Sequence, residues 1–280
     1  MGDEKESQAR YGEVMGITQI DMLTLKNKVQ TAIDLIVAFE PPVYPYEVAN
    51  SGGKDSGTIV KLVQLAEPQL KRKPNYVYCV SPIDPPEIYQ HLKANHPETV
   101  WKYYARDFWN TVRRKGLPMR QSRWCCQIIK EASGEGRTVI VGNRSEEGTV
   151  RSGQKCFGEH RKKKLKKFFL RPIITWTEGE VWEFHRLYKL PYCSLYDEGS
   201  SGPYKGDGLF HRIGCVLCPF SRDSKNEIAR FSKIAGNWRS VCDGIVADRM
   251  SRGNVSKRGK PYKQQFTSGE ELWNWWISRS

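Results

Sequence analysis

The stretch Ser51-Gly52-Gly53-Lys54-Asp55-Ser56 stands between two segments of different periodicity. Residues 46–50 before it have the pattern of a short β-strand. After it, apolar residues recur at helical spacing: Ile59, Val60, Leu62, Val63 and Leu65. The glycines permit a tight turn with positive φ angles, so the sequence predicts a strand, a loop and a helix in that order. In this arrangement backbone N–H groups and a helix N-terminus surround one point, which is a ready site for phosphate.

Each residue of this loop has a predicted use in binding a nucleotide. The glycines allow the backbone to approach the phosphates closely, and the side chains supply hydroxyl donors, a positive charge and a ligand for Mg²⁺. The corresponding residues are Gly52 and Gly53, Ser51 and Ser56, Lys54, and Asp55. The spacing differs from the Walker A motif, so the loop does not indicate a P-loop NTPase.

Strands and helices alternate on both sides of the loop. Helices are predicted at 21–39 and 85–95, and strands at 76–80, 100–104, 138–141 and 168–174. Two short helices are predicted between the strands at 100–104 and 138–141. Thr177 with Glu180 forms a capping box that begins another helix. This order predicts an α/β fold, with a mostly parallel twisted sheet and helices on both faces. Residues 1–200 are expected to form this domain. Residues 201–280 are expected to form a small cysteine-containing helical region that completes the same unit, with a flexible segment at 249–269 and a final packed helix around Trp273.

The formal net charge of +14 is unevenly distributed. Residues 151–167 contain eight Lys or Arg against the single acid Glu159, and residues 249–269 are also rich in Lys and Arg. A nucleic acid would gain counterion-release energy from such stretches, although solvated basic loops are the alternative. No apolar run approaches the roughly 18 residues of a membrane span, and no secretory signal is recognisable, so we expect a cytoplasmic protein without a membrane partner.

Four of the eight cysteines occur as two pairs, Cys125-Cys126 and Cys215 with Cys218, separated by 88 residues. Four thiolates brought together can bind zinc or an iron–sulfur cluster. Adjacent cysteines strain a tetrahedron around one ion, because neighbouring side chains diverge. A larger cluster tolerates them better, so [4Fe-4S] is favoured, with zinc or buried free thiols as alternatives.

The loop matches the signature of the PP-loop family, the N-type ATP pyrophosphatases. The cysteine arrangement resembles the [4Fe-4S] ligand set of assimilatory adenylyl-sulfate reductases and of DndC-type proteins of DNA phosphorothioation, which form the phosphoadenylyl-sulfate (PAPS) reductase-like branch of that family. The resemblance covers residues 46–222 and includes Gly142-Asn143-Arg144 with Arg151. It implies an adenine nucleotide alpha-hydrolase-like fold, ATP with Mg²⁺ as bound species, and Lys54, Asp55, Arg144 and Arg151 as catalytic residues.

Two departures from the reductases favour ATP cleavage. Those enzymes end in a tail with a nucleophilic cysteine, whereas the last cysteine here is Cys242, and their loop usually lacks the Lys-Asp pair that is intact here. The resemblance therefore implies an enzyme that adenylates an acceptor with ATP and replaces oxygen by sulfur. Similarity to DndC and SspD implies DNA as the acceptor and a cysteine desulfurase as sulfur donor.

Three other functions stay open at this point. They are a tRNA thiolase, a sulfonucleotide reductase, and a non-catalytic nucleotide-sensing module. Cys156 lies in the first basic stretch, where positive charge favours a reactive thiolate, so it is a candidate sulfur carrier; an ordinary packed thiol is the alternative.

Overall fold

The computed structural model describes residues 19–221, 224–256 and 259–278. Among these residues the strands are β1 (Glu47–Ala49), β2 (Asn75–Cys79), β3 (Val100–Lys102), β4 (Thr138–Ile140), β5 (Phe157–Glu159) and β6 (Phe168–Leu170). The helices are α1 (Gln19–Ala38), α2 (Lys54–Ala66), α3 (Pro86–Asn95), α4 (Phe108–Lys115), α5 (Trp124–Ile128), α6 (Thr149–Ser152), α7 (Glu178–Leu187), α8 (Ser224–Arg230), α9 (Ser232–Met250) and α10 (Gly269–Ile277). No helix within these ranges is both long and apolar enough to cross a membrane.

The strands form one sheet in the order β3-β2-β1-β4-β6-β5. All neighbouring pairs are parallel except β5 and β6, which are antiparallel. Strand β1 is central, with Val48 opposite Tyr76 of β2 on one side and Ile140 of β4 on the other. The predicted mostly parallel α/β fold is confirmed, and the loop at 51–56 leaves the carboxyl end of a central strand, where α/β enzymes bind their ligands.

Two hydrophobic clusters hold the layers together. One joins α1, α2 and α7 to the sheet and includes Ile36, Leu62 and Phe184. The other joins β2, α4 and α5 to the C-terminal helices, and its largest residues include Trp238 and Trp276. Residues after 200 therefore share a core with the sheet, while the boundary at residue 200 stays a prediction.

Three local expectations are changed or refined by the structure. The strand predicted at 168–174 ends at Leu170, because Pro172 has no N–H to donate and the Ile174 N–H closes a turn onto Arg171 O. The sequence pattern did not predict β5. In the segment 249–269, which was expected to be flexible, Val255 and Pro261 form an isolated bridge; mobility itself is untested.

The predicted helix start at Thr177 is confirmed. The Thr177 hydroxyl accepts a hydrogen bond from the Glu180 N–H at 3.2 Å, and the Glu180 carboxylate accepts one from the Thr177 N–H at 2.8 Å. The predicted final helix is also confirmed, and it buries Leu272, Trp273 and Trp276. Residues 1–18, in which sequence reasoning looked for a secretory signal, lie outside the described residues.

Candidate active site

The phosphate loop is a tight turn between β1 and α2. Gly52 has a φ of +73°, a conformation that L side chains rarely adopt, and its N–H donates to Asn50 Oδ1 at 3.2 Å. The hydroxyls of Ser51 and Ser56 are 3.2 Å apart, and Ser56 also donates to Gly53 O at 2.8 Å. These local bonds hold the turn in place before any ligand binds, as expected of a phosphate cradle at a helix N-terminus.

Lys54 points into the protein beneath the loop and is only 2% exposed. Its Nζ donates to His211 O at 2.9 Å and forms an ion pair with Glu178 at 3.1 Å. Burial alone would lower the pKa of Lys54, but Tyr196, Asp55 and Glu178 together hold that pKa above its usual range. Lys54 is therefore a buried cation on the protein side of the loop, where its hydrogen bond and ion pair hold the loop against the protein.

Asp55, on the first turn of α2, pairs with Arg144. The Arg144 Nε donates to Asp55 Oδ1 at 2.5 Å, and its Nη1 donates to Glu146 at 2.7 Å. Arg144 is 4% exposed, so this pair is shielded from water. The structure thus brings together two of the residues predicted to be catalytic, with the Asp55 carboxylate already bound by a guanidinium.

Arg151 lies beside this pair, on α6. It forms an ion pair with Glu147, and Glu147 also contacts Arg212 at 3.6 Å. Burial, followed by the positive charge of Arg212, lowers the pKa of Arg151 to about 10. Several cations therefore converge near the loop, which suits a site for a polyphosphate.

The four paired cysteines also come together. The neighbouring Cys125 thiol holds the pKa of Cys126 below its usual range, against the effect of burial. The charges of Cys126, Cys215 and Cys218 all act on the Cys125 thiol. The fold therefore brings together two cysteine pairs that lie far apart in the sequence.

Two cations and a hydroxyl border the thiols. Arg123 donates to Cys126 Sγ at 3.6 Å, and the Ser81 hydroxyl is 3.7 Å from Cys215 Sγ. Lys130 lies near enough to Cys215 for a thiolate there to raise the lysine pKa. These groups offset the negative charge that several thiolates would carry.

The donor set fits a thiolate-bound cluster in its chemistry, with four thiols and neighbouring cations. It does not form a single-ion site: within residues 19–221, 224–256 and 259–278, no three Cys, His, Asp or Glu side chains are arranged to hold one metal ion.

A single segment connects the loop to the thiols. The carbonyl of His211 accepts the Lys54 hydrogen bond, and the next residue, Arg212, contacts Glu147. Cys215 follows three residues later. The phosphate loop, the arginines Arg144, Arg151 and Arg212, and the four thiols therefore lie in one region of the molecule.

Tyr196 and Glu178 contact Lys54 but were not predicted as site residues. The Lys54 N–H donates to the Tyr196 hydroxyl at 3.2 Å, and Glu178 is the first residue of α7. Both lie within residues 46–222, which carry the family resemblance, and Glu178 directly follows the predicted cap. Position relative to a helix start could have identified Glu178, whereas nothing local in the sequence marks Tyr196.

The candidate sulfur carrier lies elsewhere. Cys156 is half-buried immediately before β5, and its carbonyl accepts the Arg171 N–H at 2.7 Å. Its neighbours in the first basic stretch, Lys162, Lys163, Lys164 and Lys166, are exposed. A role for Cys156 stays a prediction.

Comparison with known proteins identifies relatives that match more than half of the chain. The model of the phosphoadenosine phosphosulfate reductase domain matches residues 45–221. An uncharacterized protein of Methanocaldococcus jannaschii is 29% identical over 212 residues, which are 70% of this chain and 41% of that protein. Adenosine 5'-phosphosulfate reductase of Shouchella clausii is 26% identical over 154 residues, which are 53% of this chain and 55% of that enzyme.

Among solved structures, FMN adenylyltransferase of Candida glabrata superposes with a TM-score of 0.49 at 14% identity, covering 74% of this chain and 72% of that one. The chain spans about half the length, or less, of the curated relatives it matches.

Proposed function

Because the chain belongs to the phosphoadenosine phosphosulfate reductase family, with a nucleotide-binding fold, we propose that it is an ATP-cleaving sulfur-transfer enzyme. One observation carries the proposal: residues 211–215 join the phosphate loop to the four thiols, through the bond of Lys54 to His211 O and the position of Cys215. This contact supports a nucleotide-activating site and a sulfur-transfer site that would act side by side.

The residues of the loop divide the work of holding ATP. The backbone of Gly52 and Gly53, with the hydroxyls of Ser51 and Ser56, would bind the phosphates at the start of α2. Lys54 supports this loop electrostatically from below. Arg144 and Arg151 would stabilise the charge that develops on the phosphates, which contributes strongly to catalysis of phosphoryl and nucleotidyl transfer.

Mg²⁺ is the expected companion of ATP, and Asp55 is the proposed ligand. The Asp55 carboxylate is held by Arg144 on one oxygen, Oδ1, while Oδ2 is 3.7 Å from Lys54 Nζ. A carboxylate has about four acceptor positions, so Asp55 can keep the arginine bond and still bind an ion.

The proposed reaction has two stages. An acceptor oxygen attacks the α-phosphorus of ATP, the bond from that phosphorus to the bridging oxygen breaks, and pyrophosphate leaves. A persulfide, R–S–S⁻, supplied by a cysteine desulfurase then displaces AMP, which departs with the acceptor's oxygen. A thiol reduces the remaining S–S bond and releases the thio-substituted acceptor.

Cys125, Cys126, Cys215 and Cys218 would hold a [4Fe-4S] cluster, which when bound supplies iron that can take part in redox and sulfur chemistry. Arg123 and Lys130 would balance its charge. The support is the convergence of the four thiols and their cationic surroundings.

The proposed acceptor is DNA, in a phosphorothioation reaction, with tRNA as the alternative. The support is the overall charge of +14 and the exposed lysines Lys162, Lys163, Lys164 and Lys166. Exposed cations attract phosphate backbones without regard to sequence.

Sulfonucleotide reduction is a second candidate, favoured by the similarity to the Shouchella clausii reductase. That reaction would use the same loop to bind an adenylated sulfate and would release sulfite. Because sulfonucleotide reduction consumes no ATP, assays of pyrophosphate release from ATP and of sulfite release distinguish the two candidates.

Pyrophosphate release from ATP tests the first stage. We expect release by the wild type, and a loss of about 100-fold in Arg144→Gln, because a buried charge at the phosphates is removed. Arg113→Gln is the matched control, since Arg113 also pairs with an aspartate, Asp248 at 3.0 Å, but on the exposed surface. Sulfite release from adenylyl sulfate without pyrophosphate release from ATP would support the reductase instead.

Absorbance near 400 nm after anaerobic purification tests the cluster. We expect a brown protein that loses its colour in Cys125→Ser and Cys218→Ser and keeps it in Cys156→Ser. A colourless protein that contains zinc would refute the cluster.

Mass spectrometry of nuclease-digested nucleic acids tests the acceptor. Cells with the gene are compared with cells lacking it, and phosphorothioate dinucleotides in DNA are expected only in the former. Thiolated nucleosides in tRNA, with unmodified DNA, would assign the enzyme to tRNA.

A further inference from the structure

A groove between the C-terminal helices contains two cations of the basic stretch 249–269, together with Lys115. Its volume is about 270 Å³, and its lining includes Lys115, Arg249, Tyr262, Lys263, Phe266 and Trp275. These residues come from the end of α4, from α9, from α10 and from the segment before α10. The groove therefore exists only in the folded chain.

The charge in this groove is unbalanced. Lys115, Arg249 and Lys263 line it, and no acidic residue is among the described lining residues. None of these three cations forms an ion pair with any residue in 19–221, 224–256 or 259–278. A concave surface with uncompensated cations attracts an anionic ligand.

Aromatic rings line the groove together with the cations. The Arg249 guanidinium is 4.3 Å from the centre of the Tyr262 ring, and the rings of Phe266 and Trp275 are 5.4 Å apart. Grooves that bind single-stranded nucleic acid combine these two features, cations for the phosphates and flat rings on which bases stack. Guanidinium planes stack on bases as well.

The groove is also connected to the thiols. Lys115 lines it, and the Lys115 Nζ lies 5.6 Å from the centre of the Trp124 ring, next to Cys125. The wall segment 115–119 continues directly into the sequence that carries the first cysteine pair. The groove therefore borders the segment that carries the first cysteine pair.

We propose that this groove, which we call the C-terminal groove, binds a single strand of nucleic acid near the thiols. The inference deepens the proposed function and rests on it for the choice of a nucleic-acid acceptor. Stacking on the rings of the groove requires unstacked bases, which a single strand offers and the body of a duplex does not.

Fluorescence anisotropy with a labelled 20-nucleotide oligo-dT tests the groove. The double variant Arg249→Gln with Lys263→Gln is expected to bind about tenfold more weakly at low salt. The slope of log K against log salt is expected to fall in magnitude by about 1.4, because each lost phosphate contact on a single strand accounts for about 0.7. Tyr262→Leu is expected to weaken binding by about tenfold, because it removes a ring that can stack on a base and that supports Arg249.

Lys71→Gln with Lys73→Gln is the matched control. It removes the same charge from exposed positions before β2, and it is expected to bind within twofold of the wild type. Equal losses in the control and groove variants, or wild-type affinity in the groove variants, would overturn the proposal. So would a wild type that binds no oligonucleotide, or one that binds a duplex as tightly as a single strand. An oligo-rU arm shows whether RNA competes with DNA.

The failure of the groove and the failure of the proposed function give different results. If cells contain thio-modified nucleic acid and the groove variants bind oligonucleotide normally, the proposal for the groove is refuted and the proposed function stands. If the groove variants lose binding and cells contain no thio-modified nucleotide, the groove stands as a nucleic-acid site and the sulfur-transfer function is refuted.

Discussion

The backbone at Gly142 approaches the phosphate loop more closely than any side chain would allow. A Cβ at this position would lie 2.7 Å from Asp55 O and 2.8 Å from Asp55 C. Because the obstacle is backbone, it cannot be relieved by turning a side chain. Gly142 therefore lets Arg144, two residues later, reach Asp55.

Gly142→Ala is expected to destabilise the protein by about 1–3 kcal/mol, as overpacking commonly does, and to impair pyrophosphate release as the loop is displaced. Chemical denaturation and the ATP assay measure the two effects. Gly153→Ala serves as control, since a Cβ there meets nothing within 4 Å. Equal stability of the two variants would contradict the close approach.

His185 is a buried residue with a pH-dependent cost. Its Nε2 is 2.8 Å from Lys54 O, and burial lowers its pKa to about 4. Its pKa in the unfolded chain is about 6.5, so between these values the unfolded state binds more protons. The free energy of unfolding therefore falls as the pH drops from about 6.5 towards 4.

His185→Gln is expected to reduce the slope of unfolding free energy against pH by about 1 kcal/mol per pH unit between pH 5 and 6, because one titrating group is lost. Urea unfolding at several pH values measures it. A slope unaffected by His185→Gln would show that His185 titrates equally in both states.

At the scale of elements, the start of α7 serves both the fold and the site. The capping box of Thr177 and Glu180 sets the first turn, and Glu178 in that turn pairs with Lys54 at 3.1 Å. A local sequence signal thus positions a residue beneath a loop that is more than a hundred positions away in the chain.

Thr177→Ala is expected to lower the free energy of unfolding by about 1 kcal/mol, the usual loss for a helix cap. It should also raise the KM for ATP more than it lowers kcat, because the loop loses support while the arginines remain. Thr177→Ser keeps the hydroxyl and should behave as the wild type. Full stability of Thr177→Ala would mean that packing alone defines this helix start.

At the scale of the whole molecule, the C-terminal helices support the thiol region. Trp276 is 1% exposed, and its indole N–H donates to Pro118 O at 2.8 Å. Pro118 lies in the segment that leads to Cys125, and Arg120 in the same segment donates to Pro219 O at 2.7 Å. This network fixes one cysteine pair against the other.

Trp276→Ala is expected to lower the free energy of unfolding by about 3–5 kcal/mol, through the cavity that it leaves. It should also reduce the absorbance near 400 nm per protein, because the segment before Cys125 loses an anchor. Leu187→Ala, at an exposed position, should change both by little. A destabilised variant with full absorbance would separate the C-terminal helices from the thiols.

Much of the fold was predictable because its signals are local. Helical spacing placed α1 and α3 within two residues of their observed ends, and the glycines at 52 and 53 marked the loop. Strand β5 was missed because three residues on the edge of a sheet carry too little periodicity. Strand β6 was predicted too long because its apolar pattern continues past the turn at Arg171 and Pro172.

The amino-acid sequence by itself determined the loop, the order of strands and helices, and the two cysteine pairs, since each depends on neighbours in the chain. Only the tertiary structure decided that Lys54 lies beneath the loop with Glu178 and Tyr196, and that Arg144 holds Asp55. It alone brought residues 211–215 between loop and thiols and closed the C-terminal groove. These contacts join residues far apart in sequence, and packing of the sheet and C-terminal helices into shared cores determines them.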